Sequence, residues 1–265
     1  MNNYVKPILK TLAFILLYLA VNTVILIGVF IATGVEDIES ISANTITITL
    51  LATQIIILGL ILIMYNRVFL SQMRFKRTSP KIILWALIVG FAGINISVML
   101  INLVNLAFPD IVASYIEAIE SSIGGADLWL SVLAVAIMAP LVEEIAFRGM
   151  FFRWFERTSI RPWALIVLSG VFFGLFHLNL VQGVFASAIG IIYAVGFYWT
   201  KSIWVPIAMH FGNNVYAALA ELIPVEILEA TWFGWLNVAF IAFVPIGLWQ
   251  IKKIVDANGS EKVLS

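Results

Sequence analysis

Long apolar stretches recur along the whole chain, and only short polar or charged segments separate them. A bilayer core of about 30 Å takes roughly 20 apolar residues for each helical pass. Of the 265 residues, 62% are hydrophobic and 11% are charged, whereas soluble proteins average roughly 45–50% apolar and about 25% charged residues. A chain with this composition has too few polar residues to cover its apolar surface in water. We therefore predict an all-α polytopic membrane helix bundle that forms a single transmembrane domain over residues 1–265.

The positions of the charges favour eight spans with both termini in the cytoplasm. With eight spans, all 15 Lys and Arg residues fall on one side of the membrane. The charged residues in the connections on the other side are all acidic. The positive-inside rule makes the basic side cytoplasmic. We expect an integral multi-pass protein of the plasma membrane, with an external stretch at 111–119 on the membrane surface. The spans are predicted at 8–33, 44–66, 82–108, 128–152, 163–180, 183–200, 203–222 and 232–251.

Several classes of function are disfavoured by what the sequence lacks. A net charge of zero gives no basic surface for nucleic acid, so no nucleic-acid partner is expected. Without cysteine there is no disulfide, no thiolate metal site and no cysteine nucleophile. No internal repeat is evident, which argues against a proton-coupled transporter of the inverted-repeat type.

Ionisable residues inside the predicted spans point to a functional site. Each costs at least about 2.5–3.5 kcal/mol at membrane depth, so it needs a reason to be there. Glu144 and Arg148 are four residues apart, the spacing of a helical ion pair that would hold the glutamate ionised. Glu143 is rotated by about 100° from Glu144 and can face another direction. The candidate site residues are Glu143, Glu144, Arg148, His177, His210 and Asn214.

Relative depth supports this grouping. If the fourth and fifth helices form a hairpin that turns near Ile160, Glu143 and His177 lie at equal distances from the turn. His210 and Asn214 are four residues apart and therefore share one face of the seventh helix. His210 comes only nine residues after Lys201, so its depth agrees with that of Glu143 and His177 only if the hairpin projects about 12 Å further into the cytoplasm.

Simpler structural roles exist for some of these residues. A single membrane histidine is often a hydrogen-bond partner between helices, and Arg148 could be a cytoplasmic anchor that reaches the interface. Phe173 is expected to serve packing. Paired glycines suggest close helix contacts: Gly90, Gly93, Gly170 and Gly174. Packing alone does not account for a Glu-Glu pair, two histidines and an asparagine together.

Three ordered motifs resemble those of the CAAX protease and bacteriocin-processing family of intramembrane endopeptidases. They read Glu143-Glu144-x-x-x-Arg148, Phe173-x-x-x-His177 and His210-x-x-x-Asn214, within a predicted catalytic core at 127–222. The resemblance implies a hydrolase like CAAX prenyl protease 2 that acts on a membrane-associated peptide or protein. It also implies roles: Glu143 activates a water with help from His177, His210 and Asn214 stabilise the oxyanion, and Glu144 and Arg148 support them.

Two questions stay open at the level of the sequence. His177, His210 and a glutamate would satisfy a catalytic zinc site, and the family has been described as metalloproteases, although we favour a metal-free glutamate–water site. The alternative function is a non-catalytic membrane regulator or bacteriocin-immunity protein on the same fold. Bis-histidine haem ligation by His177 and His210 is a remote third hypothesis.

Overall fold

Every regular element in the described part of the chain is a helix, which confirms the predicted fold class. A computed structural model describes residues 3–34, 40–65, 67–122, 124–220, 222–228 and 230–261, and no strand occurs among them. The helices are α1 (Val5–Thr33), α2 (Ala43–Met64), α3 (Arg67–Ser71), α4 (Pro80–Ala107), α5 (Pro109–Ser122), α6 (Leu128–Phe155), α7 (Pro162–Phe176), α8 (Leu180–Thr200), α9 (Trp204–Ala220), α10 (Val225–Leu228), α11 (Thr231–Phe240) and α12 (Phe243–Glu261).

Helical segments occupy all eight predicted span positions, but they are not equally long. Within the described residues, six are long and apolar enough to cross a membrane: α1, α2, α4, α6, α8 and the combined segment Thr231–Asn258 of α11 and α12. The fifth and seventh segments are shorter, with 15 residues in α7 and 17 in α9. At 1.5 Å per residue α7 extends only about 22 Å, less than the hydrocarbon core. Helix α7 is therefore too short to cross the hydrocarbon core by itself.

The turn between α7 and α8 lies earlier in the chain than the predicted break between residues 180 and 183, and this corrects the placement of His177. Helix α7 ends at Phe176, so His177 lies in the turn and not well inside a span. Leu178 takes a left-handed conformation with φ of 52°. The Asn179 side chain then caps α8 by accepting a hydrogen bond of 3.1 Å from the backbone N–H of Gln182. The chain can turn here without a charged residue in the connection, because the Asn179 cap and the left-handed Leu178 make the turn.

Glycines bring two pairs of helices into close contact, as predicted. A Cβ on Gly90 of α4 would lie 1.7 Å from the carbonyl oxygen of Met209 in α9. A Cβ on Gly174 of α7 would lie 2.0 Å from the hydroxyl of Ser187 in α8. In lipid, where no hydrophobic effect drives helices together, such backbone contacts supply much of the packing energy.

Helix α8 lies at the centre of the bundle. Its residues Ala194 and Phe197 belong to an apolar cluster with α1, α2, α6 and α7. Its residues Ile189 and Tyr193 belong to a second cluster with α4, α9 and α12. The candidate site lies where these two clusters meet.

The predicted external surface segment is helical. Helix α5 covers residues 111–119, and the ring of Tyr115 lies 6.3 Å from that of Phe185 on α8. Its location on the membrane surface stays a prediction, as does the cytoplasmic location of the termini. Some charged residues used in the sidedness argument lie outside the described residues: Glu36, Asp37, Glu39, Glu221, Glu229 and Lys262.

Candidate active site

Helix α6, which carries both glutamates, changes its helical form twice. Residues Val132–Met138 and Ile145–Met150 are π-helical, and the α-helical turn Ala139–Glu144 lies between them. Pro140 lacks a backbone N–H and so removes one intrahelical hydrogen bond from this region. Short π-helical segments of this kind leave backbone groups unpaired and are frequent at functional sites.

Polar side chains of neighbouring helices bind the carbonyls of both π-helical segments. The amide of Asn214 on α9 donates a hydrogen bond of 2.8 Å to the carbonyl of Val135. The hydroxyl of Ser169 on α7 donates one of 3.0 Å to the carbonyl of Phe147. These bonds fix the rotation of α6 between α7 and α9, and with it the directions of the two glutamates.

The predicted Glu144–Arg148 pair is present and completely buried. Nη1 of Arg148 donates a hydrogen bond of 3.0 Å to Oε1 of Glu144, and both side chains have 0% exposure. Nη2 donates a second bond of 2.6 Å to the carbonyl of Gly190 on α8. The guanidinium also lies 4.8 Å from the ring centre of Phe173. Arg148 is therefore an internal structural cation, and the alternative of an interfacial anchor is wrong.

His210 connects the two glutamates. Its Nδ1 lies 3.0 Å from Oε1 of Glu144, and its Nε2 lies 3.9 Å from Oε2 of Glu143. The ring of Tyr193 stacks on the imidazole at 5.3 Å. Because Arg148 pairs with the Glu144 carboxylate, we assign the proton to Nδ1, which makes His210 the donor. Nε2 is then the ring nitrogen that faces Glu143.

Four of the six candidate residues line one cavity, and the other two do not. It has a volume of about 350 Å³ and is lined by Glu143, His177, His210 and Asn214, whereas Glu144 and Arg148 are not part of its wall. Ile119 of α5 also reaches it. The structure thus places four candidate residues around a common space and the other two behind them.

His177 meets this cavity from the end of α7. Its Nδ1 lies 2.9 Å from the carbonyl of Phe173. A carbonyl can only accept, so Nδ1 carries the proton and Nε2 of the neutral ring is an acceptor. Phe173 packs against the rings of both histidines, at 5.1 Å from His177 and 5.5 Å from His210. Phe173 therefore serves packing, as expected, and the side chains that it packs against are the two histidines of the candidate site.

Several polar residues of the cavity wall were not predicted from the sequence. The side chains of Gln54, Ser97, Tyr193 and Asn213 line the cavity, and each has a buried polar atom without a hydrogen-bond partner. Gln54 could have been found, because it is a lone glutamine in the otherwise apolar part of α2. Asn213 directly precedes the asparagine of the motif. The other two carry no sequence signal that separates them from ordinary helix contacts.

The described residues do not assemble the zinc site that the sequence left open. No group of three His, Asp or Glu side chains among them is arranged to hold a metal ion. The description of the chain as a metalloprotease thus has no support from this arrangement.

Comparison with known families agrees with the three motifs. Residues 125–216 match the family described as type II CAAX prenyl endopeptidase, Rce1-like. The chain is therefore similar to this family over that segment. The Rce1-like segment contains all the candidate site residues, from Glu143 to Asn214, and the predicted family resemblance is confirmed.

Two curated bacterial proteins are similar to parts of the chain. A putative membrane peptidase of Bacillus subtilis (strain 168), YdiL, is 35% identical over 98 residues, which are 37% of this chain and 39% of that protein. The membrane-embedded CAAX protease MroQ of Staphylococcus aureus (strain USA300) is 26% identical over 163 residues, 60% of this chain and 66% of that protein. The matches thus span less than two thirds of either relative. No solved structure matches the chain. Together with the Rce1-like segment, these relatives support a membrane protease.

Proposed function

We propose that the protein is an intramembrane endopeptidase that hydrolyses a peptide bond with a water activated by Glu143. The observation that carries this proposal is the shared cavity. A carboxylate, two imidazoles and a carboxamide from α6, the turn after α7, and α9 line it, and the Glu144–Arg148 pair lies behind it. This is the set of groups that peptide hydrolysis needs: a base, ligands for the water and donors for the oxyanion.

Glu143 and His177 would activate the water. In the proposed reaction, the carboxylate of Glu143 takes a proton from water while the acceptor Nε2 of His177 holds the same water molecule. The water oxygen attacks the carbonyl carbon of the scissile bond, and the carbonyl oxygen becomes an oxyanion. Glu143 then returns the proton to the leaving amine as the C–N bond breaks.

His210 would stabilise the oxyanion because of its two carboxylate neighbours. With His210 as imidazolium and Arg148 protonated, the cluster of these two cations with Glu143 and Glu144 is electrically neutral. Neutrality matters because buried charges need partners in the membrane interior. Nδ1–H would donate to Glu144, and Nε2–H would donate to the oxyanion. A fixed donor of this type contributes about 3–4 kcal/mol in a site that excludes water.

The cavity suits a segment of extended chain. Its volume of about 350 Å³ is at the lower end of the roughly 300–1,000 Å³ typical of small-ligand sites. A folded domain could not enter it. The substrate is therefore proposed to be a membrane-associated peptide or the terminal segment of a membrane-associated protein.

Cleavage by purified protein tests this proposal. The protein is reconstituted in lipid nanodiscs and incubated with quenched fluorescent peptides, each with and without a prenylated cysteine. Glu143→Gln should lower turnover by about 10²–10⁴-fold, as expected for loss of a general base. Glu117→Gln, which alters an exposed acid of α5, is the matched control and should cleave like the wild type. Equal turnover in the wild type and Glu143→Gln would reject the proposal.

Complementation separates catalysis from regulation. A non-catalytic regulator or immunity protein needs the fold but not the base, so Glu143→Gln would restore a deletion strain as well as the wild type does. The endopeptidase proposal expects that this variant accumulates normally in the membrane but does not restore the phenotype.

A further inference from the structure

A second polar pocket lies at the other end of the bundle from α5, where α1 begins and α6 ends. We call it the basic pocket. It has a volume of about 300 Å³, and its charged lining residues are all cations: Lys6, Lys10, Arg153 and Arg157. None of the residues that carry the proposed peptidase reaction lines it. The pocket therefore needs an explanation of its own.

The cations of the basic pocket are not neutralised by the residues described around it. No Asp or Glu is among its lining residues, and the sequence has no acid before Glu36 or between Ser40 and Pro109. Glu156, the acidic residue just after α6, forms its ion pair with Arg74. Four like charges gathered without a carboxylate repel one another, and an anionic ligand would relieve this repulsion.

Neutral groups hold two of these cations in place. Nε of Arg153 donates a hydrogen bond of 2.6 Å to Oε1 of Gln72. Nζ of Lys10 lies 5.8 Å from the ring centre of Trp154. Because these partners carry no negative charge, the full positive charge of both side chains remains available to a ligand.

An apolar groove continues directly from the basic pocket. This groove, of about 150 Å³, shares Lys10, Tyr65 and Trp154 with the basic pocket. It runs between α1, α2 and α6, and its remaining walls are apolar: Ala13, Phe14, Leu17, Ile57, Leu60, Ile61, Met64 and Met150. A cluster of cations is thus joined, through two aromatic residues, to a hydrocarbon-lined groove inside the membrane-spanning part of the bundle.

We infer that the basic pocket and the apolar groove together bind an anionic phospholipid. The phosphate of the headgroup would lie among the four cations, and one acyl chain would follow the groove along Leu17 and Ile61. Basic pockets between membrane helices on the predicted cytoplasmic side suit anionic headgroups in this way. The apolar groove distinguishes a lipid from free phosphate, because inorganic phosphate would gain nothing from it. Aromatic residues at the boundary match their usual position at the interface.

Retention of lipid by the purified protein tests the inference. Native mass spectrometry compares phosphatidylglycerol with phosphatidylcholine of the same acyl chains, added to the full-length protein in detergent. The wild type should retain phosphatidylglycerol preferentially, and 10 mM inorganic phosphate should not displace it. Lys10→Gln with Arg157→Gln should reduce retention by about 30-fold, since each of the two cations near an anionic headgroup contributes roughly 1 kcal/mol.

Matched variants make the result specific to the site. Lys76→Gln with Arg77→Gln removes two exposed cations outside the pocket and should leave retention unchanged. Lys10→Arg keeps the charge and should also retain the lipid. Leu17→Trp fills the groove without changing a charge and should lower retention, with thermal unfolding used to show that the variant is folded.

Three results would overturn the inference. They are equal retention of the two lipids by the wild type, unchanged retention in the Lys10→Gln and Arg157→Gln double variant, and displacement by inorganic phosphate. None of them bears on the proposed peptidase activity, because Glu143 and the cavity around it are intact in every variant.

Discussion

The side chains of Glu144, Arg148 and His210 depend on one another because all three are buried. Oε1 of Glu144 accepts from both Arg148 and His210, each at 3.0 Å. Removing one member of such a cluster leaves an unpaired charge in a medium that cannot solvate it. In the proposed mechanism, Glu144 and Arg148 therefore act through the position and charge of His210 and do not contact the substrate.

Replacing Arg148 tests this dependence. Arg148→Ala should lower stability by roughly 3–5 kcal/mol because Glu144 loses its buried partner. Arg148→Lys should be intermediate, since one ammonium cannot bond Glu144 and the carbonyl of Gly190 in the same geometry. Equilibrium unfolding in mixed detergent micelles measures the change. Arg161→Ala, at an exposed position, is the control, and a loss of equal size there would contradict the argument.

Two neighbouring asparagines should behave differently. Asn214 donates to the carbonyl of Val135, so Asn214→Ala should reduce both turnover and stability, the latter by about 1–3 kcal/mol for the carbonyl left unpaired. Asn213 has a buried Nδ2 without a partner at the cavity. Asn213→Ala should therefore lower turnover without loss of stability. Parallel measurements of turnover and melting temperature would show whether the two effects separate in this way.

At the scale of the elements, the contact between α4 and α9 sets the position of His210. Gly90 lies against the backbone of Met209, the residue before His210. Any side chain at position 90 would push α9 away from α4. Since His210 is the link between Glu143 and Glu144, a shift of α9 would also separate the imidazole from its partners.

Substitution of glycines tests the role of this contact. Gly90→Ala should destabilise the protein by about 1–3 kcal/mol, the usual cost of overpacking, and should reduce turnover as well. Gly59→Ala in α2 is the matched control, because its Cβ would meet no atom within 4 Å. There the replacement should be neutral or stabilising by about 0.5–1 kcal/mol. Similar losses in both variants would contradict the argument, because a Cβ meets neighbouring atoms at position 90 and none at position 59.

At the scale of the whole molecule, the distribution of charge predicts the orientation in the membrane. With eight spans, the sequence assigns all 15 basic residues to the side predicted to be cytoplasmic, and the four cations of the basic pocket are among them. Helix α5 would then lie on the external face, above the cavity that Ile119 helps to line.

Cysteine labelling tests this orientation, and the natural absence of cysteine makes the experiment clean. Glu117→Cys should react with a membrane-impermeant maleimide in intact cells. Lys76→Cys and Lys253→Cys should react only after the cells are permeabilised. The reverse pattern would show that the orientation is inverted, and labelling of Lys76→Cys and Lys253→Cys from different sides would show an odd number of spans between them.

Much of this architecture could be predicted because it follows from local pattern. The spans follow from the length of apolar stretches, and the Glu144–Arg148 pair follows from helical spacing. Close contacts at Gly90 and Gly174 follow from the small size of glycine. The length of α7 could not be predicted, because no glycine, proline or charged residue lies between Phe176 and Leu180; the left-handed backbone of Leu178 and the Asn179 cap make the turn.

The sequence by itself determined the fold class, the positions of the helices and the set of candidate residues, because hydropathy and helical periodicity are local properties of the chain. Only the tertiary structure decided that Glu143 faces the cavity while Glu144 is held behind it by Arg148 and His210. It also decided that Gln54, Ser97 and Asn213 share that cavity, and that Lys10 and Arg157 share another. Which side chains share a cavity depends on how helices far apart in the chain are rotated and how closely they pack. These properties cannot be read from the order of the residues.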